Sequence, residues 1–221
     1  MKIVEAKNLV KKFKSGASEL TVLKGLSLTA ERGEFLSIIG RSGSGKSTLL
    51  YQLGLLDRPN EGEIIINGVN VSELSDDERT AFRLNELGYI FQDYALVPEL
   101  NAYENVLIPL LMQGLRNHEA ETMAKKALER VGLQDKLSNL SSQLSGGEQQ
   151  RVSIARAIGH NPKIIFADEP TANLDAETAK VVLDTFLELH EGGQTIVMVT
   201  HEPEYAALTD RVLVLKEGVI D

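Results

Sequence analysis

A chain of 221 residues, 43% hydrophobic and 25% charged, has the length and mix of one globular domain with a full core and room for a smaller inserted subdomain. No apolar run reaches the roughly 18 residues of a membrane helix, and the lack of cysteine excludes a disulfide framework or a thiolate metal site. A net charge of -9 weighs against non-specific binding to nucleic acid or to an anionic membrane surface. Any membrane role is therefore expected to pass through a partner. The segment Met1-Lys2-Ile3-Val4-Glu5 has no long apolar stretch of signal-peptide type, and the lack of cysteine is consistent with the cytosol.

In chain order, residues 3–6, 21–29 and 35–39 are predicted strands. The last, Phe35-Leu36-Ser37-Ile38-Ile39, is almost continuously apolar, as in a strand buried on both faces. It runs into Gly40, and a helix is predicted from about Lys46. Ser75-Asp76-Asp77-Glu78 has capping-box spacing and opens a second helix. Asn101-Ala102-Tyr103-Glu104 is a similar start, with Gly114 as its stop, and residues 117–131 are a helix closed by Gly132. Residues 93 to about 160 thus read as mainly helical between strand-rich segments, which predicts an inserted helical subdomain. Three more buried-strand runs follow, at 163–167, 195–200 and 211–215, with helices between them at about 176–191 and 202–208. Strands alternating with helices predict a mainly parallel sheet covered on both faces.

Gly40-Arg41-Ser42-Gly43-Ser44-Gly45-Lys46-Ser47 is a P-loop pattern, strand before and helix after. Its glycines let the backbone wrap a phosphate, the helix N-terminus adds positive dipole, and Lys46 adds a full charge. Residues Gly40, Arg41, Ser42, Gly43, Ser44, Gly45, Lys46, Ser47 and Thr48 are the expected nucleotide contacts, with the Ser47 hydroxyl on magnesium. Phosphate binding outweighs an ordinary glycine-rich turn because of that flanking context. Downstream, Asp168 and Glu169 end the buried run Ile164-Ile165-Phe166-Ala167. Ligands of open α/β sheets bind at such strand ends. Asp168 is expected to hold magnesium, and Glu169 to polarise a water as general base. Alone, two carboxylates more often open a solvated loop; beside a P-loop, their mutual repulsion finds a reason in a bound cation.

A second candidate anion cradle is Ser145-Gly146-Gly147-Glu148, ahead of a predicted helix at 149–158. The bland alternative is an N-cap followed by two permissive glycines. Two cradles in one small chain suggest that two copies meet head to tail, each completing the other's site. The full run Leu144-Ser145-Gly146-Gly147-Glu148-Gln149-Gln150-Arg151 resembles the signature of the ABC-type ATPases, and the resemblance covers essentially the whole chain.

That resemblance implies an α/β fold: a P-loop NTPase (RecA-like) core with a mainly parallel sheet, an antiparallel β subdomain and an inserted helical subdomain. It implies one cassette over residues 1–221, with 1–92 and about 160–221 as the nucleotide-binding core and about 93–159 carrying the signature. Gln92 matches the Q-loop that touches magnesium and water and signals to a membrane subunit. Ala172-Asn173-Leu174-Asp175 looks like the D-loop, with Asp175 at the dimer interface, and His201 matches the switch histidine on the γ-phosphate. Phe13 falls where the family places an adenine-stacking aromatic, often Tyr, with a core phenylalanine as the alternative reading. His118, His160 and His190 have no such context.

The expected cofactors are ATP and Mg2+. The expected partners are a second copy of the chain and an integral membrane permease docking near residues 92–100, with no nucleic acid. The protein would sit on the inner face of the cell membrane through that partner. Tyr94, Leu96 and Val97 suit a partner groove or a fold-back onto the helical subdomain equally well. Residues 15–20, Gly54-Leu55-Leu56-Asp57-Arg58-Pro59 and Ala95-Leu96-Val97-Pro98 are similar to the branch of lipoprotein-releasing and macrolide-export ATPases. Arg41 in place of a frequent Pro, and Ala172 in place of a frequent Gly, depart from the family pattern without removing a catalytic group. Glu169 is intact, so hydrolysis is expected. A cell-division or signalling ATPase without cargo, or a soluble ABC ATPase, are the alternatives; the acidic charge disfavours the last on nucleic acid.

Overall fold

The computed structural model describes residues 1–16 and 18–221; Ala17, in the insertion at 15–20, lies outside the described residues. β1 (Lys2–Ser15) and β2 (Ser18–Glu31) form a long antiparallel hairpin, followed by β3 (Phe35–Ile39) and α1 (Lys46–Leu53). β4 (Glu61–Ile66) and β5 (Val69–Asn70) complete a four-stranded antiparallel sheet of order β2-β1-β4-β5. Next come α2 (Asp76–Glu86), β6 (Leu87–Ile90) and the helices α3 (Ala102–Met112), α4 (Asn117–Arg130) and α5 (Gly146–Ile158), which pack on one another. The chain ends with β7 (Ile164–Asp168), α6 (Ala176–Glu191), β8 (Thr195–Thr200), α7 (Pro203–Ala206), β9 (Arg211–Lys216) and β10 (Val219–Ile220). These strands join β3 and β6 in a six-stranded sheet of order β10-β9-β3-β8-β7-β6, parallel except for β10.

The parallel sheet divides two cores, and the period-2 alternation of its strands decides which residue serves which. Leu36, Ile38, Ile164, Phe166, Val197 and Val199 face α1 and the antiparallel sheet, packing with Leu49, Leu50 and Leu53. Their sequence neighbours Phe35, Ile165, Ala167, Ile196 and Met198 face the helices, packing with Val106, Leu128, Val152 and Phe186. This is why the central strands read as unbroken apolar runs. α4 buries Ala120, Ala124, Ala127 and Leu128, one stripe at helical spacing. α2, α3 and α5 all start with reciprocal capping boxes, Ser75 with Glu78, Asn101 with Glu104 and Ser145 with Glu148.

The predicted strand at 3–6 is the start of a strand that runs on to residue 15, through a lysine-rich stretch with three register shifts after Ala6. Polar residues tolerate strand pairing there because the outer face meets solvent. β4 gave no strand signal because it opens Glu61-Gly62-Glu63; Gly62 takes φ +93, and a Cβ on it would lie 2.5 Å from the Lys7 and Asn8 carbonyl oxygens. β6 follows α2 with no turn residue between, and β5 and β10 have two residues each. α5 starts at Gly146 rather than at 149, since a capped first turn accepts glycines that look like breakers. α7 is shorter than the predicted 202–208 because Pro203 opens it and only one turn follows.

Candidate functional site

The carboxyl ends of β3, β8, β7 and β6 lie side by side, and each releases one predicted site segment. Ile39 leads to the P-loop, Thr200 to His201, Ala167 to Asp168 and Glu169, and Ile90 to Gln92. Sequence separations of up to 161 residues are thereby reduced to neighbouring strands. The P-loop geometry needs its glycines. Gly43 and Gly45 take φ +78 and +102, and a Cβ on Gly40 would lie 2.4 Å from the Leu215 carbonyl oxygen.

Lys46 is buried inside the loop. Its Nζ donates to the Gly40 carbonyl (3.0 Å) and the Arg41 carbonyl (3.4 Å), and lies 3.3 Å from Glu169 Oε1. Glu169 Oε2 lies 2.7 Å from His201 Nδ1, so one carboxylate joins the lysine to the exposed histidine. Glu169 holds this place at φ +42, a conformation that costs a non-glycine residue free energy and that the Glu169 N–H to Val199 O bond helps to fix. Beside it, Ser47 Oγ donates to Asp168 Oδ1 (2.9 Å). Burial pushes the Asp168 carboxyl above the usual aspartate range; the Ser47 bond opposes this and the adjacent Glu169 adds to it.

Two features fit a phosphate and a hard cation here. Ser44 Oγ is buried with no protein partner, and α1 starts at Gly45 with no side-chain cap and no acidic residue in its first turn. Ser47 and Asp168 supply the oxygen donors that Mg2+ prefers. A cavity of about 960 Å³ opens against residues 39–44, His201, Pro203 and the 214–217 segment. Thr48 sits half-buried in the first turn of α1.

Other predicted residues lie outside this cluster. The Gln92 carbonyl accepts from Asn173 Nδ2 (3.0 Å), while its exposed side chain makes no hydrogen bond to Ser47 or Asp168 among the described residues. Phe13 is 44% exposed under Lys11 Nζ, 5.2 Å from the ring centroid, and does not line the cavity. Ser145 is an exposed N-cap: its Oγ accepts from Glu148 N (3.3 Å) and Glu148 Oε2 accepts from Ser145 N (2.8 Å). Neither Gly146 nor Gly147 has positive φ, so the bland reading of permissive glycines fails while the N-cap reading holds. Asp175 caps α6, accepting from Glu177 N, Thr178 N and Thr178 Oγ1.

The segment after Gln92 is braced from two helices. Arg156 of α5 donates to the Ala95 and Tyr94 carbonyls (2.5 and 2.8 Å), residues with φ +48 and +64. Asn105 of α3 accepts from Val97 N (2.8 Å) and donates to the Val97 and Leu100 carbonyls. Leu96 folds back onto the helical core, Val97 remains exposed, and Tyr94 is half-buried. The sequence carried no signal for Arg156 or Asn105, since each bonds carbonyls of a loop rather than a patterned side chain. An aromatic row of Tyr51, Tyr89 and Phe91, with Tyr89 and Phe91 centroids 4.4 Å apart, also went unread.

A family model described as ABC transporter matches residues 23–172. The lipoprotein-releasing system ATP-binding protein LolD of Aquifex aeolicus (strain VF5) is 50% identical over 218 residues, 99% of this chain and 96% of its own length. The macrolide export ATP-binding/permease protein MacB of Chlorobium phaeobacteroides is 45% identical over 219 residues, 99% of this chain but 33% of its own length. Among solved structures, a dimeric post-hydrolysis state of the ATP-binding cassette MJ0796, bound to ADP and Pi, matches with a TM-score of 0.92 at 40% identity, covering 99% of this chain and 96% of that one. Likeness of this depth over the whole length, on a sheet edge that gathers the P-loop, the acidic pair and the histidine, places the chain in the ABC transporter family as an ATP-binding and ATP-hydrolysing subunit.

Proposed function

We propose that this chain powers a separate membrane permease of the lipoprotein-releasing or macrolide-export type by ATP-driven head-to-tail pairing of two copies. The cassette spans residues 1–221, with the core at 1–92 and about 160–221 and the signature part at about 93–159. Each ATP is held by the P-loop residues 40–48 of one copy and by Ser145, Gly146, Gly147 and Glu148 of the other, with Asp175 at the interface and Phe13 toward the base. Ser47, Asp168 and Gln92 would hold Mg2+, which supplies charge neutralisation on the β- and γ-phosphates. The permease docks near residues 92–100, where Val97 is exposed on a segment braced by Arg156 and Asn105. It thereby keeps the ATPase at the inner face of the cell membrane; no helix among the described residues is long and apolar enough to cross one.

The observation that carries this reading is the Glu169 carboxylate held between Lys46 and His201. The γ-phosphate offers Lys46 more negative charge than the Gly40 and Arg41 carbonyls it now bonds, so substrate draws Nζ away from Glu169 Oε1. That oxygen is then free to accept a proton from the attacking water. His201 keeps the second oxygen oriented and stands exposed where it can meet the γ-phosphate. The Ser145 hydroxyl and the first N–H groups of α5 complete the cage from the other copy, so ATP joins the two chains and its hydrolysis releases them.

Glu169→Gln keeps the shape and removes the base. With ATP it is expected to accumulate as a stable dimer in light scattering after size exclusion, and to revert to monomer without ATP. A monomer at saturating ATP would overturn the head-to-tail reading.

A further inference from the structure

Gly147 is buried by its own chain, and its φ is one that any residue adopts. What keeps a side chain out is a neighbour. A Cβ built on Gly147 would lie 2.0 Å from Thr178 Cγ2, while Thr178 Cβ and Oγ1 would be at 3.5 and 3.9 Å. Carbon atoms pack at about 3.5 to 4.0 Å, so the first distance is a collision and the other two are ordinary contact.

Thr178 cannot turn its methyl aside. It sits in the first turn of α6, where a β-branched side chain has few rotamers. Its Oγ1 donates to Asp175 Oδ2 (2.7 Å) and its N–H to Asp175 Oδ1 (3.0 Å), so rotation about χ1 would break the cap of α6. Gly146 lies against the same region: a Cβ there would meet Tyr94 Oη at 3.0 Å and Leu174 Cδ2 at 3.5 Å. The start of α5 is seated on residues 174–178 of its own chain.

We infer that Thr178 is a positioning residue: its methyl seats the start of α5 and its hydroxyl caps α6, so that the signature and the D-loop of one chain move as a unit, and Gly147 is glycine to make room for that methyl. The use of this unit in catalysis rests on the head-to-tail reading proposed above; the packing does not.

The test is a second-site rescue. Gly147→Ala is expected to lower the melting temperature of the ligand-free chain and to slow ATP turnover at least 10-fold, with ATP affinity of the lone chain unchanged. Adding Thr178→Ser deletes the colliding methyl and keeps the hydroxyl on Asp175. It is expected to return the melting temperature to that of the parent and turnover to within about 3-fold of the parent rate. Adding Thr178→Val instead keeps a methyl in place and is expected to restore neither. Gly147→Ala without effect, or a Gly147→Ala chain that Thr178→Ser fails to rescue in melting temperature, would overturn the packing inference. Restored melting temperature with turnover still slow would overturn the claim that this contact is what the signature needs of Gly147. Failure of the head-to-tail reading shows elsewhere, in Glu169→Gln staying monomeric with ATP.

Discussion

The starts of α1 and α5 are both helix N-termini offered to phosphate, yet they are built in opposite ways. α1 begins at a left-handed glycine with no side-chain cap, no acid in its first turn, an orphaned buried hydroxyl at Ser44 and a carboxyl at Asp168 that burial pushes up. α5 begins at Ser145 with a complete capping box, and Glu148 sits in its first turn with Lys136 Nζ 3.4 Å away. The first cradle is unsatisfied without a ligand and so has free energy to gain from one. The second is already satisfied by its own chain, through the Ser145 and Glu148 capping box. On the head-to-tail reading proposed above, the difference separates affinity from cooperation: α1 is expected to carry binding by the lone chain, and α5 the dependence on a second copy.

The largest expected effect comes from breaking the unsatisfied side. Lys46→Ala removes the one full positive charge buried in the P-loop, and a hydrogen bond to a charged group contributes about 1.5–3 kcal/mol. ATP affinity, by calorimetry on the lone chain, is expected to fall roughly 100-fold; unchanged affinity would remove Lys46 from the site. On the satisfied side, Ser145→Ala is expected to leave lone-chain ATP affinity alone while slowing turnover roughly 10- to 100-fold, less than the roughly 100- to 1000-fold of a lost donor in a water-excluded oxyanion hole because the Ser145 side is exposed. It also deletes a cap, at a cost of about 1 kcal/mol of stability. Loss of lone-chain affinity as large as that of Lys46→Ala would place Ser145 in its own chain's site and erase the contrast.

The two cradles were also unequally legible. The P-loop, the acidic pair and the positions of the central strands along the chain follow from local pattern: an apolar run, a glycine-spaced loop, a helix. Period-2 alternation within those runs sends neighbouring residues to different cores, so buried strands such as Ile164–Asp168 announce themselves without their partners being known. The signature could be found, but the start of its helix lies at Gly146 rather than at 149, because Gly146 and Gly147 look like breakers until Thr178 and Tyr94 are seen beside them. Arg156 and Asn105 brace the 94–100 segment through main-chain carbonyls, which leave no mark on sequence. Leu96 and Val97 are adjacent and equally apolar, and only tertiary packing sends one to the core and leaves the other exposed.

A smaller effect sharpens the idea that the first cradle stores unfavourable electrostatics. The Asp168 carboxyl titrates above its unfolded value, so its charged form costs stability in the fold, a cost that grows as pH rises through the folded pKa and is absent below the unfolded one. Asp168→Asn keeps an acceptor for Ser47 Oγ and removes the charge. At pH 7 the ligand-free chain is expected to melt about 2–4 °C higher, the shift that about 1 kcal/mol makes in a domain of this size. Turnover and any added stability from Mg2+ with ATP are expected to be lost. A lower melting temperature in the absence of ligand would show that Asp168 is at ease in the empty fold.

Glu148→Gln probes the relaxed side and is expected to do least. The Ser145 N–H holds the Glu148 carboxyl below the usual glutamate range against partial desolvation, and the Ser145 hydroxyl and Lys136 add to this. A depressed pKa contributes stability above the unfolded value of about 4.3, and that stability is lost as pH falls through the folded value. Glutamine still accepts from the Ser145 N–H, so only the charge is lost, with its attraction to the helix dipole and to Lys136. For a half-buried carboxylate paired with an exposed lysine that amounts to about 0.5 kcal/mol. Melting curves of parent and variant are therefore expected to differ slightly at pH 7 and to converge below about pH 4, with lone-chain ATP affinity equal throughout. A Glu148→Gln chain that melts higher than the parent at pH 7, with the gap again closing in acid, would mean that Glu148 is strained rather than settled, and the two helix starts would then be alike in holding their acids at a cost.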